Sequence, residues 1–312
     1  MIDESKIVFE FEKSYHISYN QEYFCCVGET ANLYDLTSGK LVTTFKGMSH
    51  PHSSKFTSNQ KLVIKTGEGV YYIYDLCSRT LDKMISPPPD TQGSITNFEV
   101  TPDGKYIIDF AYIHPIKKLM TIDIETGMYT FFDLSYSRKG FVFSTEMESK
   151  YYIVSNSAEN NNSSDVAIQE IYELTYRSNM FNLQRIFLDS NSRISVADYS
   201  ANKFAIADYS NKIKLFDTQK AYCDDFEYDK NGVLYNLKIS KNGQFIAIVE
   251  SQNVYIYDVF KKTCIQTFNV EYGCFVDFFQ NDTKLLIGTW KKGYCISLKK
   301  TGEGSVSPND TK

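Results

Sequence analysis

The stretch "VYYIYDLCSRTLDKM", from Val70 to Met84, has a near copy far downstream, "VYIYDVFKKTCIQTF", from Val254 to Phe268. Both place Tyr-Ile-Tyr-Asp before a polar turn and a second apolar segment. Aligning the chain on this phrase gives seven matching points: Tyr34-Asp35, Tyr74-Asp75, Ile122-Asp123, Tyr172-Glu173, Phe216-Asp217, Tyr257-Asp258 and, more weakly, Ile296-Ser297. They are separated by 39 to 50 residues. A period in that range marks a repeat architecture and governs the reading of everything else.

Each unit has the same internal order. An alternating segment such as "SITNFEV" or "LYNLKIS" comes first, followed by a tight polar turn ("TPDG", "SKNG", "QNDT"). A strongly apolar run follows ("KYIIDFAY", "QFIAIVE", "KLLIGTW"), then a turn, the Tyr-Asp segment, another turn, and a more polar last segment ("LVTTFK", "TCIQTFN"). These are four short strands joined by Gly, Asn and Asp turns of hairpin type. In "NVYIYDV", Val254, Ile256 and Asp258 point one way and Tyr255 and Tyr257 the other. Bulk on both faces predicts a sheet packed between two neighbours.

Composition agrees with an all-β reading. The 312 residues include 24 Tyr and 22 Phe but a single Trp, and aromatic enrichment favours strands. Net charge is -5, so no global basic field draws the chain to nucleic acid or anionic lipid. "MIDESKIVFEFEK" lacks the apolar core of a signal peptide, and no apolar run nears the roughly 20 residues of a membrane-crossing helix. A soluble protein of the cytoplasm, or alternatively the nucleus, is expected. The seven cysteines at 25, 26, 77, 223, 264, 274 and 295 include no Cys-x-x-Cys pair and read as reduced thiols in strands.

The segments "VTPDGKYIIDF" (100–110), "YSNKIKLFDTQK" (209–220) and "ISKNGQFIAIVESQNVYIYDV" (239–259) resemble the WD-repeat β-propeller family, and the resemblance covers nearly the whole chain. The family's Trp-Asp stands here as Tyr-Asp or Phe-Asp. Its Gly-His is eroded to Gly47 and His50, and its turn Asp becomes Gly28, Glu68, Ser210 or Ser251. The resemblance implies a propeller without the family's His-Asp hydrogen-bond network, leaning instead on aromatic packing.

The seventh unit runs into the polar tail "KTGEGSVSPNDTK" and lacks a fourth strand, whereas "KIVFEF" (6–11) has no blade of its own. Placing that segment outermost in the last blade closes the ring and pairs an open edge. The expectation is one seven-bladed propeller over 1–300, with 1–12 closing blade 7 and 301–312 a flexible tail.

Function is expected on one face. The connections from a fourth strand to the next first strand, and from second to third, share the face called top here. The longest of these are "SPPPDTQG" (86–93), "AYIHPIKK" (111–118) and "SNSAENNNSSD" (155–165), all in blades 2–4. Function concentrates in loops held on a rigid frame. Tyr112, Ile113, His114, Lys117 and Lys118 are therefore the candidate partner contacts, with Trp290 of "TWKKG" as a further anchor.

No catalytic motif occurs: no Gly-x-Ser-x-Gly, Gly-x-x-x-x-Gly-Lys or His-Glu-x-x-His. His50 and His52 lack a third ligand nearby, so no metal, cofactor or catalytic residue is assigned. Phosphoinositide-binding propellers carry an Arg-Arg pair, absent here. The first strands present Phe56, Phe98, Val100, Leu237, Ile239 and Val276 among Asn97, Asn236 and Asp277, one carboxylate in an expected channel lining. The reading is a non-catalytic scaffold for protein–protein interaction, a subunit of a complex with protein or peptide partners. The alternative is a divergent propeller hydrolase with a channel metal, which metal analysis of the purified protein would detect.

Overall fold

The computed structural model describes residues 2–298 except 59, 92–96, 114–115, 146, 148, 159–166, 179, 191–193, 210–211, 221 and 229–231. The expected 301–312 tail lies outside the described residues. Among the described residues the regular elements are strands, apart from one 3-10 turn at Glu4–Lys6. They build a seven-bladed β-propeller of four-stranded antiparallel blades. Blade 1 spans His16–Phe45, blade 2 Pro51–Ile85, blade 5 Ile194–Glu227, and blade 6 Leu234–Asn269. Within a blade the strands are called a to d, from the channel outwards.

The recurring Tyr-Asp has a local cause and a packing cause. The Asp ends strand c, and its carboxylate accepts from backbone N–H groups of the c–d turn: Asp35 from Ser38, Asp75 from Ser78, Asp123 from Thr126, Asp217 from Lys220 and Asp258 from Lys261. Such Asx turns satisfy backbone donors that the turn would otherwise leave unpaired. The residue before each Asp, aromatic in four cases and Ile122 in the fifth, is buried between blades. Tyr255 and Tyr257 pack with Leu237 and Ile239 on one face of blade 6, while Val254 and Ile256 pack with Val276 and Leu285 on the other. Each sheet is thus buried on both faces, as the alternation predicts.

The closing strand is Ile7–Glu12, outermost in blade 7 and antiparallel to Lys292–Ser297. Phe11 is buried and meets Phe24 at 5.3 Å and Tyr34 at 6.1 Å between ring centroids, both in blade 1. The Glu12 N–H donates to Tyr34 Oη at 3.2 Å. Opposite Phe11 in the ladder stands Gly293, where any Cβ would run into the Phe11 ring. The missing side chain is what lets the ring lie flat.

Blades 3 and 4 depart from the four-strand pattern. Tyr129–Ser144 is one 16-residue strand, and the two blades form a continuous seven-stranded sheet. Its first part is strand d of blade 3 and its second part strand a of blade 4. Register shifts between Lys117 and Leu119 and between Ser137 and Lys139 bend the ladder where one blade becomes the next.

Candidate functional site

The channel is ringed by polar links between neighbouring a strands. Tyr19 of blade 1 donates to the Phe278 carbonyl of blade 7 at 2.7 Å, and Ser18 and Ser54 join blades 1 and 2 at 2.7 Å. Lys55 and Glu99 pair at 2.7 Å across blades 2 and 3. The Lys139 ammonium reaches the Ser195 carbonyl from blade 4 to blade 5. Lys238 and Asp198 pair at 3.0 Å across blades 6 and 5, and Asn236 accepts from the Val276 N–H at 3.4 Å across blades 6 and 7. The one boundary missing from this set, between blades 3 and 4, is the one bridged by continuous sheet. Lys55, Glu99, Lys139, Lys238 and Asp198 are therefore engaged in holding blades together.

This corrects the sequence reading of the channel. Phe98, Val100, Leu237, Ile239 and Val276 lie in inter-blade cores instead. Alternation sends those residues sideways into the neighbouring blade, leaving their polar neighbours on the inner ring. Burial pushes the Asp277 carboxyl up to about 6, with Lys238 opposing and Asp198 adding to the rise. Burial also holds His16 well below its ordinary range, Lys55 adding to the effect, and lowers His52 to about 4. Among the described residues, no group of three His, Cys, Asp or Glu side chains is placed to hold a metal ion.

A second polar cluster lies between blades 2 and 3. Lys65 and Asp109, both essentially inaccessible, pair at 2.5 Å, and Tyr71 also donates to Asp109. Lys65 faces Ser53 on one side and Tyr71 on the other in the blade 2 ladder, so all three point towards blade 3. Burial lowers the Lys65 ammonium, an effect Asp109 opposes. The same burial, with Lys65 nearby, lowers Lys117. A buried ion pair with a tyrosine thus ties blade 2 to blade 3.

Of the predicted contacts, Tyr112, Ile113, Lys117 and Lys118 are only half-buried, and they sit in a hairpin rather than a loop. Ala111 pairs with Lys118, Tyr112 with Lys117, and Ile113 with Ile116. The b and c strands of blade 3 simply continue above the ring, because aromatic and β-branched residues favour the extended ladder. His114 lies outside the described residues. Trp290 is 60% exposed in the b–c turn of blade 7, several blades away, so the structure does not bring it together with the hairpin.

Trp290 has other company. Its ring meets Tyr15 at 5.1 Å, and its backbone N–H donates to the Tyr272 carbonyl at 3.1 Å. Tyr272, Tyr235, Val233 and Tyr209 are also strongly exposed. All sit in, or next to, top-face connections of blades 5, 6 and 7. The short turns at 270–272 and 290–291 leave Tyr272 and Trp290 little cover. Alternation could not reveal this arc, since it says nothing of which connecting residues are covered. The Lys65–Asp109 pair did leave a signal: opposite charges interrupt the same apolar run of successive units, in "KLVIKT" and "KYIIDF".

No helix among the described residues is long and apolar enough to cross a membrane. No protein-family model matches the chain, and no curated protein matches it in sequence.

Proposed function

We propose that this chain is a divergent WD-repeat-like propeller serving as a non-catalytic scaffold, which binds a protein partner on its top face over blades 5–7. The observation that carries the reading is the exposed arc of Tyr209, Tyr235, Tyr272 and Trp290 on one face of a rigid ring. Trp and Tyr supply much of the energy in interface hot spots, because they bury large amphipathic surfaces. The inner ring supports a non-catalytic role, since Lys55, Glu99, Lys139, Lys238 and Asp198 are engaged across blade boundaries. The fold pattern supports the WD-like assignment through the Tyr-Asp ends of strand c and the closing N-terminal strand.

Affinity capture from a native extract, read by mass spectrometry, tests this. The wild-type chain should retain a defined set of proteins that Tyr235→Ala/Tyr272→Ala/Trp290→Ala loses, while both show the same melting curve. Retention of the same set by the triple variant would refute the assignment of this face.

A further inference from the structure

Two cavities meet at the blade 6–7 end of the aromatic arc. One, of about 580 Å³, opens among Gln252, Asn253 and Tyr272. The other, of about 730 Å³, runs down the outer flank past Ile7, Glu10 and Tyr294 towards Glu4. Asn269, Val270, Glu271 and Lys291 line both, so the two form one groove. Its apolar side chains are Ile2, Ile7, Val270 and Tyr294. Along the outer cavity, Glu4, Glu10 and Glu271 stand against Lys291 alone. Even with Lys292, which bonds Glu10, the carboxylates remain in excess.

The head of the groove already displays the chemistry it accepts. Lys291 bonds the Glu271 carboxylate while its ammonium lies 5.4 Å from the centre of the Tyr272 ring. An ammonium held by a carboxylate and an aromatic face is a matched pair of attractions. Trp290 lines neither cavity, but it directly precedes Lys291 in the chain, its backbone bonds the Tyr272 carbonyl, its ring is exposed, and an indole is the best aromatic face for a cation.

We infer that this groove binds an extended, lysine- or arginine-bearing peptide segment of a partner protein, with apolar residues seated on Ile7, Val270 and Tyr294 and basic side chains against Glu4, Glu10, Glu271 and the Trp290 ring. The inference rests on the scaffold reading above and specifies its partner's chemistry. A groove of this size takes a short segment, and the fixed strands on either side keep its ordering cost low.

Trp290 is the single tryptophan of the chain, so its emission reports on the site directly. Purified protein is titrated with a twelve-residue peptide of Arg, Leu and Ser, and with a counterpart carrying Glu for Arg, following Trp290 emission and heat of binding. The basic peptide should shift the emission and bind at micromolar concentration, more weakly as salt rises. Glu4→Gln/Glu10→Gln/Glu271→Gln, all at exposed positions, should melt like the wild type and bind at least tenfold more weakly. Equal binding of the acidic peptide, unchanged binding by the triple variant, or no binding of the basic peptide up to millimolar concentration would each overturn the inference. The scaffold reading fails separately: it falls if Tyr235→Ala/Tyr272→Ala/Trp290→Ala still captures the partner set, whatever the peptides do.

Discussion

The two halves of the top face use their side chains in opposite ways. Over blades 2–4 the described residues add ladder and buried polar structure: the 111–118 hairpin, the Lys65–Asp109–Tyr71 cluster and the shared 16-residue strand; 92–93 of the 86–93 connection and 159–165 of the 155–165 connection lie outside the described residues. Over blades 5–7 the turns 270–272 and 290–291 are only three and two residues long and leave Tyr272 and Trp290 open to solvent, and Tyr235 is exposed at the start of its strand. In the 111–118 hairpin, more chain on a face means more ladder. Extra length can continue the hydrogen-bonded ladder, whereas a short turn has nothing with which to cover a large side chain.

The sharpest break of this contrast is within blade 6, where buried and exposed aromatics stand close together. Tyr257 is 4% exposed in the blade 5–6 core, and Tyr257→Ala should cost about 3–5 kcal/mol in urea unfolding, the range for truncating a large buried aromatic. Over blades 2–3, Asp109→Ala strands the buried Lys65 ammonium and should cost about 3–5 kcal/mol. Lys65→Met/Asp109→Leu removes both charges and should recover most of that loss. Failure to recover would show that the pair does more than neutralise itself.

The channel gives a smaller, pH-dependent effect. The Asp277 carboxyl titrates near 6 in the folded chain against an ordinary value of 3.8. A raised acid binds its proton more readily when folded, so its stabilising contribution is complete below about pH 3.8 and is lost as pH rises through 6. Asp277→Asn stays neutral throughout. It should therefore stabilise the protein by about 1–3 kcal/mol above pH 6, with the gain vanishing below pH 4. His16 and His52 act in the opposite sense, since their lowered values cost stability as pH falls below 6.5. They are common to both proteins, so the difference between variant and wild type isolates Asp277. The smallest effect belongs to the exposed arc: Trp290→Ala should change unfolding stability by less than about 1 kcal/mol, since its ring is mostly in water.

Much of the frame was legible in the chain because its causes are local. The Tyr-Asp phrase recurs since an Asp side chain caps its own turn three residues on, and that constraint is written within one short segment. The closing strand was legible by difference, an unassigned apolar segment at one end and a missing strand at the other. What escaped depends on neighbours one repeat away. Lys65 and Asp109 are 44 residues apart, and only the ring curvature brings them together. The channel links Lys238–Asp198 and Asn236–Val276 join residues 40 apart for the same reason. The 111–118 segment looked like a loop because His114 and Pro115 interrupt it, although the paired residues on either side continue the strands. Exposure of Tyr272 and Tyr235 depends on what the neighbouring turns fail to cover, which no single segment encodes.

The division of the top face is tested most directly by hydrogen–deuterium exchange on the chain alone and bound to its captured partner. Binding should slow exchange in the peptides covering 232–236, 270–274 and 288–292 and leave the 111–118 hairpin unchanged. Protection that appears on 111–118 and spares the three aromatic turns would contradict the account and move recognition to blades 2–4.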